Sequence, residues 1–268
     1  MRVINLCADD FGYHPAINQA ILDLLGQGRL SATSVITNSS YWTLAASSLK
    51  RWLPYTQVGL HINLTEFEAL SPGGRSVIQP LPQLMRKAYR TQLATTAVAE
   101  EIEAQLQAFV DHLGVLPHYI DGHQHVHQLP IVRRALLKVY ARYYPDASAL
   151  IRIPEQKWRA TQLADWQIGV KPMIIKMTGA KRLRRILQNR CIPHNQSFTG
   201  IYNFKAKNYR SCFQYFLKQI DHEGWLMCHP AAALIENDAI AQARVQEYAY
   251  LSSLAFNEDC HTSGIMLN

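Results

Sequence analysis

Apolar positions along the chain switch between two periods. Short apolar or β-branched runs at 2–8, 31–37, 57–65, 118–121, 149–153 and 224–229 predict strands. Between them, apolar residues recur at three- and four-residue spacing. Ile17, Ala20, Ile21, Leu24 and Leu25 predict a helix over 14–30, with Pro15 in its first turn. Val98, Ile102, Leu106, Phe109 and Leu113 form one stripe over 96–113, with Glu100, Glu101 and Glu103 mostly off it and Gly114 as its stop. Further helices are expected at 41–52, 130–144, 209–220 and 239–256, and the stretch 155–200 has little periodicity.

Strands alternating with helices imply parallel β units, and about seven such units fit the 268 residues. The expected fold is α/β: a closed or partly open (β/α) TIM-like barrel, read as a single domain over 1–268. A doubly wound open sheet is the second choice.

Composition narrows the classes. The chain is 48% hydrophobic and 18% charged, which supports a sizeable core and excludes disordered and fibrous proteins. The start, MRVINLCADD, lacks the features of a secretory signal, and no apolar run approaches the roughly 20 residues of a membrane helix. A soluble, cytoplasmic protein is expected. The five cysteines are scattered without a C-x-x-C pair, so neither a disulfide framework nor a zinc ribbon is suggested. A net charge of +7 suits an acidic partner.

Parallel barrels carry their reactive groups at the C-terminal ends of strands. Those ends yield Asp9 and Asp10; His61; Asp121, His123, His125 and His127; Arg152; and His229. Two ionised carboxylates about 4 Å apart repel by roughly 4 kcal/mol at an effective dielectric near 20, so Asp9 and Asp10 need exposure, a shared proton or a cation. With histidines arriving from other strands, a divalent cation is the favoured answer. In an extended strand residues i and i+2 lie about 6.7 Å apart on one face, so at most two of His123, His125 and His127 should hold one ion. The others would line the pocket or orient ligands. One carboxylate and two imidazoles suit zinc, iron, manganese or a similar ion. The second carboxylate is then placed as a general base.

These motifs, ADDFG, GLHINLT, DGHQHVH and CHP in that order, resemble the YdjC-like carbohydrate deacetylase family, which includes chitooligosaccharide and hopanoid-associated deacetylases. E-x-x-x-Q-L-x-x-F from Glu101 to Phe109 and R-V-x-E-Y-x-x-L over 244–251 are similar too. The resemblance implies a distorted (β/α) barrel and one divalent metal ion, magnesium or zinc. It implies Asp10, His61 and His123 as ligands, Asp9 as base, and His229 as acid or substrate contact. Arg152, His125, His127 and Phe11 would be substrate-binding residues. The implied reaction removes the N-acetyl group of an amino sugar, either chitooligosaccharide-like or a carrier-linked N-acetylhexosamine. Tyr13, Tyr41, Trp42, Trp158 and Tyr202 are further candidates for sugar stacking. A homodimer is permitted.

The run 176–190 places Lys176, Lys181, Arg182, Arg184, Arg185 and Arg190 around Leu183, Ile186 and Leu187. It reads as a solvated helix or as a basic patch for an anionic membrane surface. Two rival readings stand beside the deacetylase. One is a different enzyme at the same Asp-His-His site, either a non-haem metal oxygenase or another amide or ester hydrolase. The other is a non-catalytic basic binding protein at a membrane surface. No helix-turn-helix, zinc-finger or RNP-like motif is evident, so nucleic acid is not expected as a partner.

Overall fold

The computed structural model describes residues 1–156, 176–206 and 208–268. Trp158 lies outside them. In chain order, β1 (Arg2–Phe11), α1 (Pro15–Gly26), β2 (Ala32–Val35), α2 (Ser40–Lys50) and β3 (Gln57–Ile62) open the fold. Next come α3 (Leu81–Tyr89), α4 (Thr95–Leu113), β4 (Tyr119–Gly122), α5 (Pro130–Tyr143) and β5 (Leu150–Ile151). After the undescribed stretch follow α6 (Lys181–Asn189), β6 (Phe198–Thr199), α7 (Tyr209–Gln219), β7 (Trp225–Cys228), α8 (Ala241–Leu251), α9 (Leu254–Thr262) and β8 (Ile265–Leu267).

All strand pairs are parallel, in the order β5-β4-β3-β2-β1-β7-β6, with β8 on the first residues of β1. The expected α/β barrel is therefore present in distorted form. Its two ends, β5 and the approach to β6, are joined by a bridge between Ile151 and His194. Beside that bridge a side chain replaces a strand ladder. The amide of Asn195 accepts from Ile153 N–H at 2.6 Å and donates to the carbonyls of Ile153 and Ser197 at 3.0 and 3.1 Å.

Strand residues alternate faces, and that sorts the core. Ile4, Leu6, Val58, Leu60, Ile62 and Ile120 face outward onto the apolar stripes of helices such as α1 and α4. Cys7, Ala32, Tyr119, Phe198, Trp225 and Met227 fill the interior. Two residues further along the strands, on the same interior face, stand Asp9, Ser34, His61, Asp121 and Arg152. The barrel interior thus changes from apolar to charged toward the C-terminal strand ends.

Several expected elements are shortened or divided. The run 57–65 leaves the sheet after Ile62, and 149–153 contributes only Leu150–Ile151. The helix expected over 239–256 breaks at Ser252 and Ser253, whose hydroxyls bond the carbonyls of Tyr248 and Tyr250. Gly114 ends α4 in the left-handed region (φ 80°), as its position predicts. Three elements lie outside the expected set: α3, a short helix whose Leu81, Leu84, Met85 and Ala88 follow helical spacing, and the short strands β6 and β8.

The Asn195 contacts make a stability prediction. Asn195→Ala strips both partners from the buried Ile153 backbone, at a cost of about 2–4 kcal/mol. Urea denaturation should show a lower midpoint with an unchanged slope. An unchanged midpoint would mean the β5–β6 gap is held by other contacts.

Candidate metal centre and active site

Adjacent residues on a strand point to opposite faces, yet Asp9 and Asp10 both reach the interior. The backbone explains this. The β1–β2 register shifts between Ala8 and Phe11, and Asp10 takes a left-handed conformation (φ 73°). Aspartate tolerates that region better than most residues, and such bulges re-aim side chains beside sites. Phe11 is thereby returned to the outer side, fully buried and edge-on to Trp42. It lines no cavity, so the expectation of a substrate contact there is corrected.

Asp10 is the hub. Its Oδ1 lies 2.8 Å from His123 Nδ1 and 3.4 Å from His61 Nε2, and its Oδ2 accepts from Arg244 Nη2 at 2.7 Å. Burial opposes its ionisation, but His123 and Arg244 overcome this and hold the carboxyl well below the usual carboxylate range. Each histidine has a second carboxylate behind it. His61 Nδ1 donates to Asp121 Oδ1 at 2.5 Å, and His123 Nε2 faces Glu66 Oε1 at 3.5 Å. Burial works against the imidazolium of His61, yet Asp121 and Asp10 raise it to about 10. His123 is raised as well, Asp10 outweighing burial.

Asp9 sits in a different balance. Arg152 Nη2 donates to both its oxygens, at 2.8 and 2.7 Å, and also reaches Asp121 Oδ2 at 2.5 Å. Asp121 further accepts from the Ser34 hydroxyl at 2.7 Å. Two carboxylates thus share one guanidinium. Asp121, with His61 added, stays below the usual range, while burial pushes Asp9 above it against the pull of Arg152. Arg152 is itself buried beneath the site, near the rings of Phe198 and Trp225. It holds Asp9 from below and does not line the cavity, which corrects its expected role in substrate contact.

The DGHQHVH segment is not extended. After Gly122 the chain makes a helical turn over His123–Gln128, with Gln124 (φ 50°) and His125 (φ 59°) left-handed. The extended-strand spacing argument therefore does not apply. His123 joins Asp10, His125 lines the cavity, and His127 turns inward. His127 Nε2 donates to the Arg152 carbonyl at 2.9 Å, and burial lowers its pKa to about 4. It is a buried neutral brace for Arg152, not the substrate contact expected from sequence.

A cavity of about 470 Å³ opens above these groups, within the range of small-ligand sites. Asp9, Asp10, His61 and His123 lie at its base, and Tyr13, Glu66, Met85, Gln128, Phe204 and His229 are among its walls. The His229 ring meets Phe204 edge-on at 5.3 Å, and its backbone N–H donates to Glu247 at 2.5 Å. Burial raises Glu247 to about 7 although it also accepts from Tyr202. Tyr202 and Trp42 are buried in the core, so among the described stacking candidates Tyr13 is the one on the cavity wall.

Three side chains at the site, Arg244, Glu247 and Glu66, escaped the strand-end reading. Arg244 and Glu247, three apart on α8, share a face. Arg244 bridges Asp10 and Asp238 (2.6 Å), and Glu247 holds the His229 backbone. The R-V-x-E spacing was the available signal for both. Glu66 sits on a loop shaped by amide side chains. Asn63 accepts from the backbone of Thr65 and Glu66, and Gln105 clasps the Asn63 backbone from α4. Glu101 binds Gln105 and the backbone of Leu70 and Ser71. The E-x-x-x-Q motif is thus a loop anchor.

Two triads place donor atoms within 4.8 Å of one another: Asp10–His61–His123 and Asp9–His61–Asp121. In the second, both carboxylates are already engaged by Arg152. The first has the chemistry of a metal site. It offers one carboxylate oxygen and two ring nitrogens, each imidazole backed on its far nitrogen by a carboxylate. The Glu66 contact to His123 Nε2, at 3.5 Å, is looser than that of Asp121 to His61.

Similarity to known proteins agrees with this architecture. A carbohydrate deacetylase of Mus musculus is 35% identical over 145 residues, 51% of this chain and 46% of the mouse protein. The chain therefore spans about half the length of the animal relatives it matches. A chitooligosaccharide deacetylase of Salmonella typhimurium LT2 is 26% identical over 260 residues, 94% of this chain and 91% of that protein. Among solved structures, an Enterococcus faecalis V583 protein with a suggested role in cellobiose-phosphate cleavage shares the fold. Its TM-score is 0.70 at 20% identity, covering 100% of this chain and 97% of that one. The model of the YdjC-like protein family matches residues 3–262, and the chain belongs to that family.

Proposed function

We propose that the protein is a metal-dependent deacetylase that hydrolyses the N-acetyl group of an amino sugar. The observation that carries this reading is the convergence of Asp10, His61 and His123 at the cavity base, with Asp9 beside them in a separate ion pair. The names of the relatives support the substrate class.

Asp10, His61 and His123 would hold the ion, magnesium or zinc. A divalent ion there supplies Lewis acidity and lowers the pKa of water. Asp9 takes the proton from the attacking water. Its burial makes it a stronger base than a solvated carboxylate, while Arg152 fixes its orientation. His229, which also lines the cavity, donates a proton to the departing amine. Glu247 fixes the backbone from which His229 projects. Tyr13 and Phe204 offer aromatic surface to the sugar ring. Acetate and the free amine are the products.

The reading is tested by acetate release from a panel running from chitobiose to carrier-linked N-acetylhexosamines, with metal restored after chelation. Asp9→Asn should retain metal binding and lose about 10²–10⁴-fold in turnover. Release that persists without metal, or that Asp9→Asn leaves intact, would sink the mechanism.

Proton balance gives a second test. Asp121 and Asp10 raise His61 to about 10 and so hold it protonated near neutrality, His123 is raised as well, and a ligating imidazole must be neutral. Metal binding at pH 7 should therefore release at least the His61 proton, and affinity should fall as pH falls. Calorimetry in buffers of different ionisation enthalpy measures this release. In the same titration Glu66→Gln should weaken binding by about 10–100-fold. Binding without proton release would place the ion elsewhere.

A further inference from the structure

The run 176–190 acquires partners in the fold that its sequence does not show. Arg184 turns inward, bonding Glu155 at 2.8 Å and the Asn195 carbonyl. Lys181, Arg182, Arg185 and Arg190 remain exposed. Against them stand Arg134 and Lys138, one turn apart on the exposed face of α5. A groove of about 430 Å³ runs between the two helices, and a second hollow beside it is lined by Lys181, Arg182 and Arg185. Among the described residues, no carboxylate lines either one.

Elsewhere Arg142 pairs with Glu103 and Arg210 with Glu258 and Asp259, while among the described residues the scattered Arg51, Arg75, Arg86 and Arg90 make no ion pair. Here, among the described residues, none of the six exposed cations makes an ion pair. A seventh, Arg133, is buried behind them, where Arg182 adds like charge. Apolar surface lies between the charges, because Leu137 and Ile186 line the groove. Tyr89 of α3, half exposed, interacts with Arg133 at the edge of the same face.

We propose that the α5–α6 face docks the protein on an anionic lipid bilayer. Cations interleaved with apolar side chains, with a tyrosine at the margin, match a headgroup layer. The face adjoins the cavity. Arg133 donates to the Gln128 carbonyl at 2.7 Å and Tyr89 to the Thr178 carbonyl at 2.6 Å, and both Gln128 and Thr178 line the cavity. Docking brings that wall to the membrane, which suits an amino sugar on a lipid carrier. This last step rests on the deacetylase reading; the docking itself does not.

The test is co-sedimentation of the full chain with phosphatidylglycerol-containing vesicles and with pure phosphatidylcholine vesicles. Binding to the anionic vesicles alone is expected, weakening as salt is added. The variant R134Q/K138Q/R185Q/R190Q should lose about 10²-fold or more in affinity, at about fivefold per cation. The control K50Q/R51Q/R75Q/K218Q removes the same charge elsewhere and should bind nearly as the parent does. Absence of binding at low salt, or equal loss in both variants, overturns the proposal. Stronger retention on duplex DNA than on vesicles would assign the face to nucleic acid and overturn it too.

Discussion

Three buried aspartates within one barrel mouth must be neutralised, and the fold is built around that requirement. Arg152 from the end of β5 lies between Asp9 and Asp121, and Arg244 from α8 lies between Asp10 and Asp238. Breaking such a buried pair costs about 3–5 kcal/mol, because the remaining charge keeps its desolvation penalty. The two arginines also set the carboxylates apart electrostatically. Asp10, facing Arg244 and two imidazoles, is firmly ionised and suited to a cation. Asp9 shares its arginine with Asp121 and sits higher, suited to taking a proton.

Backbone geometry delivers those charges to one place. The regular pleat carries Asp9, Ser34, His61, Asp121 and Arg152 to the interior, each two residues beyond an interior position of the same strand. The bulge at Asp10 adds one more carboxylate, and the left-handed turn at Gln124 and His125 adds His123. The proposed metal-ligand set thus depends on one regular strand residue and two backbone irregularities.

This explains what was legible in the sequence. Reactive residues that directly follow apolar runs could be found by reading strand ends, and the alternation of periods was enough for the α/β architecture. Side chains that come from loops or helices could not. Glu66 is brought to His123 by the amide contacts of Asn63 and Gln105, which no periodicity reveals. Arg244 and Glu247 sit on a helix whose apolar stripe is weak. Phe11 and His127 were expected in contact with substrate from the motifs that contain them, and Arg152 from its place at a strand end. A bulge, a turn and a shared ion pair move all three behind the cavity surface.

Anomalous X-ray diffraction from crystals grown with zinc or manganese, measured at the metal's absorption edge, tests the central claim most directly. The account predicts one strong peak in bonding contact with Asp10, His61 and His123, with Asp9 still held by Arg152. A peak seated among Asp9, His61 and Asp121, or no peak at the barrel mouth, would contradict it.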